Sequence, residues 1–496
     1  MKNTDEQDAV INHIANMGNK ALIIEAFAGA AKTHTLIESM KADPIKSVYL
    51  VFSKEMQKEA SKKCPGTTNV RTSHSLSLEV CKKFFGNRKR DFVSVPSRWN
   101  KGKFREIIEA IPEFSIPTDK KKAAKMFEVH QAMKRLWSMT MATMTDPNDV
   151  SAMRALVGRF NLQFEGDMES VAVSAIPQIM ETCLETAGEK ITFEEMIYYC
   201  ATLNVDMPRF ERIYLDEAQD FNACQIAMFK KMKTPDNSLV AVGDRYQSIM
   251  GFAGAESDSM DQIKSAFNAD SLPLSVNFRC GKSIIEDAQI IVPGIRAWDQ
   301  SPQGKVERRD MIDVSEMADE GMAVCRFNAP LVSPALKMLK SGRPASIKGK
   351  DLAGEISYRI KKLVTDKKVT MPSLRSKAVD KMESEISAAE RRENPSASQI
   401  SRITDSWEVI LSLLDGCDRV EDIDDTIRDL FKAKGGMVFS SAHRSKGLEA
   451  ESVYILNSDK IRMSRDGMSK EDHQQEANLD YVARTRAKNL LVKVRS

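Results

Sequence analysis

Residues 21–52 read ALIIEAFAGAAKTHTLIESMKADPIKSVYLVF, and the order of textures in this stretch decides the fold. An apolar run, ALIIEA, gives way to a turn of small residues, then to a helix from Thr33, then to a second apolar run, SVYLVF, at 47–52. Strand, helix and strand at this spacing predict parallel strands joined by a crossover helix. Outward from here, a helical segment, DEQDAVINHIANM, precedes the first strand. Strands return in FERIYLDEAQD and SLVAVGD, again near PLSVNFRC and GMAVCRFNA, and at the end in GGMVFSSAHRSKGLEAESVYIL and NLDYVARTRAKNLLVKV. The stretches 76–205 and 350–430 read as mostly helical. The expected class is α/β, two parallel-sheet blocks each interrupted by a helical insertion, with no short internal repeat.

Composition narrows the class. At roughly 100–200 residues per domain, 496 residues make about three or four domains. Hydrophobic residues at 42% and charged residues at 29% are those of a soluble globular chain. Lys+Arg 73 against Asp+Glu 70 leaves +3, so any nucleic-acid surface has to be a local patch. The eight cysteines are scattered singly without a CxxC pair, which argues against a disulfide framework or a structural zinc site. The polar, acidic start MKNTDEQDAV is not expected to be a signal peptide, and Glu25 interrupts the most apolar early run. A soluble protein of a reducing, cytoplasmic compartment is expected, bacterial or phage-encoded rather than nuclear.

The turn AFAGAAKT, residues 26–33, lies between a strand and a helix. Backbone N–H groups at such a helix start can cradle phosphates, with Lys32 on the β- and γ-phosphates and the Thr33 hydroxyl on Mg²⁺. The usual pattern GxxxxGK[ST] here reads Ala26-xxxx-Ala31-Lys32-Thr33, so a plain small-residue turn is the competing reading. A second piece bears on that choice. Residues 213–220, IYLDEAQD, end an apolar strand with adjacent carboxylates. In a nucleotide hydrolase Asp216 would hold Mg²⁺ and Glu217 would polarise the attacking water. A solvated acidic strand end is common, yet the pair together with the loop points to an ATPase.

Between Lys82 and Arg105 nine Lys/Arg stand against one acid, Asp91, with Phe84, Phe85, Phe92, Trp99 and Phe104 among them. Phosphate neutralisation and base stacking would suit nucleic acid, and the alternatives are a solvated face or helical core.

The ordered string DEQDAV, AFAGAAKT, VFSKEMQKEA, TSHSL, DEAQD, VGDRYQSIMGFAGA, LSVNFRC, SSAHRSKGLEAESVYIL and NLDYVARTRAK resembles UvrD/Rep-type superfamily 1 DNA helicases, most closely the F-box DNA helicase branch. The motifs cover both α/β blocks, and ITFEEMIYYC adds to the likeness. The resemblance implies two RecA-like domains, 1A at 1–75 and 206–273 and 2A at 274–350 and 431–496, with insertions 1B at 76–205 and 2B at 351–430. By the family's pattern Gln7 reads adenine, and Ala28, Gly29, Ala30, Ala31, Lys32 and Thr33 form the phosphate loop. Asp216 and Thr33 are the metal ligands, Glu217 the catalytic base, and Gln247 the contact to the γ-phosphate and water. Arg279 and Arg486 neutralise transition-state charge once the second block closes on the first, Phe278 stacks on the adenine, and Glu449 lies near the ribose. Phe52, His74, Phe252 and His443 fall at positions that line the single-strand path, where aromatic faces accept any base.

The departures are Ala31 for the loop glycine, Ser53 for asparagine, Ala253 for arginine and Arg484 for an apolar residue. Arg484 is expected to point away from the phosphates, and Arg484→Ala to retain most activity. The implied function is an ATP- and Mg²⁺-dependent 3′→5′ translocase and helicase on single-stranded and tailed duplex DNA, working as a monomer in replication, recombination or repair. A translocase that strips proteins such as recombinase from DNA, and a catalytically weak nucleic-acid-binding scaffold, are the alternatives. Single-strand-binding protein or recombinase is the partner class implied.

Overall fold

The computed structural model describes residues 3–86, 89–94, 102–249, 251, 254, 258–364, 369–391, 395, 397–432, 435–464 and 468–495. Its contacts divide the chain into two units, Met1–Ala26 with Ala31–Leu274, and Phe27–Ala30 with Ser275–Ser496.

The first unit is built on six parallel strands, β1 Ala21–Ala26, β2 Ser47–Val51, β3 Thr68–Thr72, β4 Arg212–Leu215, β5 Ser238–Gly243 and β6 Asp270–Leu274, in the order β3-β2-β4-β5-β1-β6. β2, β4 and β5 are buried along their whole length, which is why they read as continuous apolar runs rather than as alternations. The crossover helix Lys32–Ala42 follows β1 directly. Among the described residues, six helices run between β3 and β4, including Ser73–Phe84, Lys103–Glu109, Lys120–Thr143 and Phe193–Thr202.

The basic and aromatic stretch at 82–105 does not form one exposed face. Phe92 packs in the core beneath the sheet with Leu76, Val80 and Met196, and Phe104 packs with Trp137 in the core of the helical insertion. Lys103 is buried as well, where it donates to Glu195 at 2.8 Å and to the Cys183 carbonyl. A buried ammonium needs such partners, so Lys103 is an internal tie and is unavailable to DNA. Lys83 stays exposed and pairs with Asp206, while Arg105 pairs with Glu109 and lies over the Phe127 ring. Arg88, Arg98, Trp99 and Lys101 of this stretch lie outside the described residues.

The second unit holds a short parallel pair, β7 Val276–Asn277 and β8 Arg296–Ala297, and a second six-stranded parallel sheet. Its strands are β9 Lys305–Arg309, β10 Gly321–Cys325, β11 Ala345–Ile347, β12 Met437–Ser441, β13 Ala450–Ile455 and β14 Ala487–Val494, ordered β11-β12-β10-β13-β14-β9. Among the described residues, four helices between Lys350 and Lys432 separate β11 from β12 and share a core with that sheet through Trp407, Ile410 and Leu430. The molecule is thus α/β with two RecA-like parallel sheets, each carrying a helical insertion. Among the described residues no helix is long and apolar enough to cross a membrane, and the cysteines are free thiols.

Candidate functional site

In the first unit three neighbouring strands, β4, β5 and β1, deliver charged residues at their carboxyl ends, the edge at which open α/β sheets bind ligands. Lys32 opens the helix after β1, Asp216 and Glu217 follow β4, and Asp244 follows β5. The Lys32 ammonium donates to Glu217 Oε2 at 2.9 Å. Asp216 is fully buried, accepting from the Tyr49 hydroxyl of β2 and, on Oδ1, from the Glu217 N–H at 2.9 Å. Gln219 Nε2 donates to the same Glu217 oxygen at 2.6 Å, and its Oε1 accepts the Asp244 N–H at 2.9 Å. Gln247 Nε2 donates to Asp244 Oδ2 at 2.7 Å. A polar chain therefore runs from Lys32 through Glu217, Gln219 and Asp244 to Gln247. Gly243 makes room for it, since a Cβ there would stand 2.6 Å from Gln219 Oε1.

Three carboxylates face one ammonium in this cluster. Burial, then the charge of Glu217, pushes Asp216 up to about 6, while Lys32 and the Tyr49 hydrogen bond pull the other way. Burial likewise raises Asp244 to about 6 against the pull of Lys32. For Lys32, burial opposes the charged form, but Glu217, Asp216 and Asp244 together outweigh it and hold the ammonium above its ordinary range. The surplus of negative charge is local and buried. Thr33 follows Lys32 in the same helix, and the Tyr49 hydroxyl holds the Asp216 carboxylate. Hard oxygen donors beside uncompensated negative charge fit Mg²⁺, which takes few protein ligands. Among the described residues no three His, Cys, Asp or Glu side chains form an all-protein metal cage.

Two non-glycine residues of the cluster lie in the left-handed region. Ala31, the first residue before the helix, has φ 57°, and Glu217 has φ 53°. An L side chain in that region costs roughly 1–2 kcal/mol, so the alanine departure strains the loop backbone besides adding a methyl. Gln7 is buried and closes a capping box, its Oε1 accepting the Thr4 N–H at 3.0 Å and its Nε2 donating to Thr35 Oγ1 at 3.1 Å. Thr35 ties it to the helix that Lys32 begins.

Phe52 is 52% exposed, which excludes the core role that a strand end allows. Val51 pairs with Thr72, so Phe52 and His74 leave neighbouring strands at the same edge. His74 meets Phe193 edge-on, with centroids 5.8 Å apart, and Phe193 is itself 50% exposed. Phe193 is missing from the sequence-derived set, although its place at the start of ITFEEMIYYC was a signal. Phe252 and Ala253 lie outside the described residues.

In the second unit Arg279 donates from Nε to Glu449 Oε2 at 2.7 Å and from Nη1 to the Thr485 carbonyl at 3.2 Å. Burial would raise Glu449, but Lys488 and Arg279 hold it below its ordinary range. Arg486, 1% exposed, donates to the carbonyls of Val482 and Leu448 at 2.9 and 3.1 Å. Phe27–Ala30, which belong to this unit, are held by residues the sequence reading did not name. Asn277 Nδ2 donates to the Ala28 carbonyl at 2.6 Å, the Phe278 N–H to the Gly29 carbonyl at 2.9 Å, and the Ala28 N–H to the Tyr481 hydroxyl at 3.0 Å. Ala28 and Ala30 are buried, and Gly29, at φ 65°, admits no Cβ, which would lie 2.4 Å from Asn277 Nδ2. Burial and the nearby Arg326 lower His443 to about 4, so its imidazole is neutral at pH 7.

Arg484 is a buried tie, bonded to Asp480 through Nε and Nη2 and to Asp287 through Nη1, all at 2.8–2.9 Å. Lys493 also serves Asp287 and Arg462 serves Asp480. Arg484→Ala is therefore expected to lower stability by about 2–3 kcal/mol, short of the ~3–5 kcal/mol of a wholly uncompensated buried charge because both aspartates keep a cation. Calorimetric melting of the variant checks this, and an unchanged melt would contradict it.

A model of the UvrD/REP helicase N-terminal domain matches residues 3–268. The chain is 22% identical to F-box DNA helicase protein 1 of Schizosaccharomyces pombe, in a match covering 99% of this chain and 57% of that protein. It is 32% identical to the putative ATP-dependent DNA helicase YjcD of Bacillus subtilis over 20% of this chain and 14% of that protein. Against the ATP-dependent DNA helicase PcrA of Staphylococcus aureus, the identity is 27% over 21% of this chain and 16% of that protein. The chain thus spans little more than half the length of the fission-yeast relative and smaller shares of the bacterial ones. The matched model takes in more than half of the 496 residues, and the chain belongs to the UvrD/REP helicase family.

Proposed function

We propose that this chain is an ATP-dependent DNA helicase that moves 3′→5′ along single-stranded DNA and opens tailed duplexes. The observation that carries the reading is the cluster of Lys32, Asp216, Glu217, Asp244 and Gln247 at the carboxyl ends of three adjacent strands. Its chemistry is that of phosphoryl transfer, in which positioning and charge stabilisation dominate. Thr33 and Asp216 would hold Mg²⁺, which when bound neutralises phosphate charge. Lys32, now paired with Glu217, exchanges that carboxylate for the nucleotide's phosphates. Glu217 is thereby freed to accept a proton from, and orient, the attacking water. Gln247 is coupled to this exchange through Asp244 and Gln219, which makes the polar chain a route from hydrolysis to the DNA-facing surface. Arg279 and Arg486 supply guanidinium charge to the transferred phosphoryl group, and Glu449 holds Arg279 in place meanwhile. Phe278 stacks on the adenine and Gln7 reads its edge. Phe52, His74 and Phe193 form an exposed aromatic platform for bases, and the neutral His443 is a separate DNA contact of the second unit.

Unwinding of 3′-tailed, 5′-tailed and blunt duplexes tests the whole reading. Strand displacement confined to the 3′-tailed substrate, dependent on ATP and Mg²⁺, is the expected result. Equal opening of 5′-tailed DNA would reverse the polarity. DNA-stimulated hydrolysis with no displacement of any duplex would favour the translocase that strips proteins such as recombinase from DNA. The strained Ala31 is the one observation on the side of a weakly catalytic scaffold, and absence of any DNA-stimulated hydrolysis would decide for it.

A further inference from the structure

Phe278 has no hydroxyl with which to hold the angle of its ring, and the second unit supplies another anchor. β7 and β8 pair in parallel with Val276 opposite Arg296 and Asn277 opposite Ala297. The Trp298 N–H then donates to the Asn277 carbonyl at 3.0 Å, which extends the ladder by one step. That register sets the residues after the two strands, Phe278 and Trp298, side by side. Their ring centroids lie 5.6 Å apart at an interplanar angle of 48°. Both rings are half-buried, neither sealed in the core. The backbone beneath is pinned: the Phe278 N–H is bonded to the Gly29 carbonyl, and Asn277, fully buried, accepts the N–H groups of Arg279 and Cys280 at 2.9 and 2.7 Å. Two rings on a two-stranded ladder form a rigid aromatic corner.

We propose that Trp298 is a nucleobase-positioning residue: its indole braces Phe278 and adds a second aromatic surface to the seat of the purine. The assignment rests on the reading of Phe278 as the adenine-stacking ring. Tilted aromatic pairs of this separation attract one another beyond the area they bury, and a fixed ring costs less to order when the base arrives. The corner acts on binding and base choice and leaves the chemical step alone, because neither ring carries a group that could move a proton or neutralise phosphate charge.

The test uses the full chain and its variants W298A and W298F, with single-stranded DNA and a series of nucleoside triphosphates. In W298A the KM for ATP should rise about 5- to 10-fold, the loss of one aromatic pair and part of a stacking surface. The value of kcat should stay within about 2-fold, since binding alone is affected. The preference for ATP over UTP and CTP should shrink by a similar factor, and W298F should restore most of both. A spectroscopic readout stands beside the kinetics. Trp137 and Trp407 are buried in cores, so with Trp99 replaced by Phe in both chains, quenching of tryptophan emission by a non-hydrolysable ATP analogue should be present with Trp298 and largely lost in W298F. If W298A keeps the wild-type KM and nucleotide preference, or if W298F quenches as the chain with Trp298 does, the assignment is wrong while the helicase reading stands. If the wild-type chain neither binds nor hydrolyses ATP, both fall. Should W298A fail to fold by circular dichroism, the comparison of wild type with W298F still decides.

Discussion

Lys32→Ala is expected to abolish DNA-stimulated ATP hydrolysis, a fall on the order of 10³-fold or more, while binding of single-stranded DNA without nucleotide survives. Lys32 is the cation at the centre of three carboxylates, and the proposed mechanism asks its ammonium to leave Glu217 for the phosphates. Without it the nucleotide's charge meets Asp216, Glu217 and Asp244 with no Lys32 ammonium between them. Folding should tolerate the change. Burial already lifts Asp216 and Asp244 to about 6, and losing Lys32 removes the pull that keeps them that low, so both take up protons near neutrality rather than stay as bare buried charges. DNA binding should be spared because Phe52, His74 and Phe193 are exposed at the edge beside β2 and β3 and share no partner with Lys32. Steady-state ATPase with and without DNA, beside a fluorescence-anisotropy titration of a labelled oligonucleotide, measures both halves. Normal turnover in Lys32→Ala would refute the phosphate loop.

The architecture was legible wherever burial is two-sided. β2, β4 and β5 are enclosed on both faces and so announce themselves as apolar runs, and the residues after β1 and β4 stand out because charge follows apolarity abruptly. Asp244 carries the same signature after SLVAVG, but a single acid at a strand end is a weaker signal than the pair in DEAQD. Tyr49 and Gln219 were harder to see. Their importance lies in which oxygen each hydroxyl or amide reaches across the sheet, and a linear reading has no access to that. The basic and aromatic stretch left its alternatives open for a related reason. Local composition is silent on whether a lysine faces water or, like Lys103, a buried glutamate 92 residues away. Arg484 is the same case: its partners Asp480 and Asp287 make it part of an internal network that a linear reading has no access to.

Arg279→Ala is expected to lower kcat for ATP hydrolysis by about 10³-fold with a much smaller loss of ATP affinity, since guanidinium charge matters most when the transferred phosphoryl is in flight. Arg279 is the better of the two arginines to change. Its side chain is partly exposed, and its partner Glu449 retains Lys488 at 2.9 Å when it is gone, so no bare charge is left behind. Arg486 has a second job: its Nε and Nη1 bonds to the Val482 and Leu448 carbonyls join the helix Lys470–Arg484 to the segment before β13. Arg486→Ala should reach a comparable loss of kcat, but it also removes the donors to the Val482 and Leu448 carbonyls at a cost of about 1–3 kcal/mol. Arg486→Lys separates the effects, because lysine keeps the charge and one donor while losing the planar fork. An Arg486→Lys chain that folds yet turns over on the order of 10²-fold more slowly would assign the deficit to phosphoryl recognition rather than to packing. The decisive outcome is a kcat for Arg279→Ala within a few-fold of wild type. In that case the Arg279–Glu449 pair is a structural ion pair at the surface of the second unit, and transition-state charge is neutralised elsewhere.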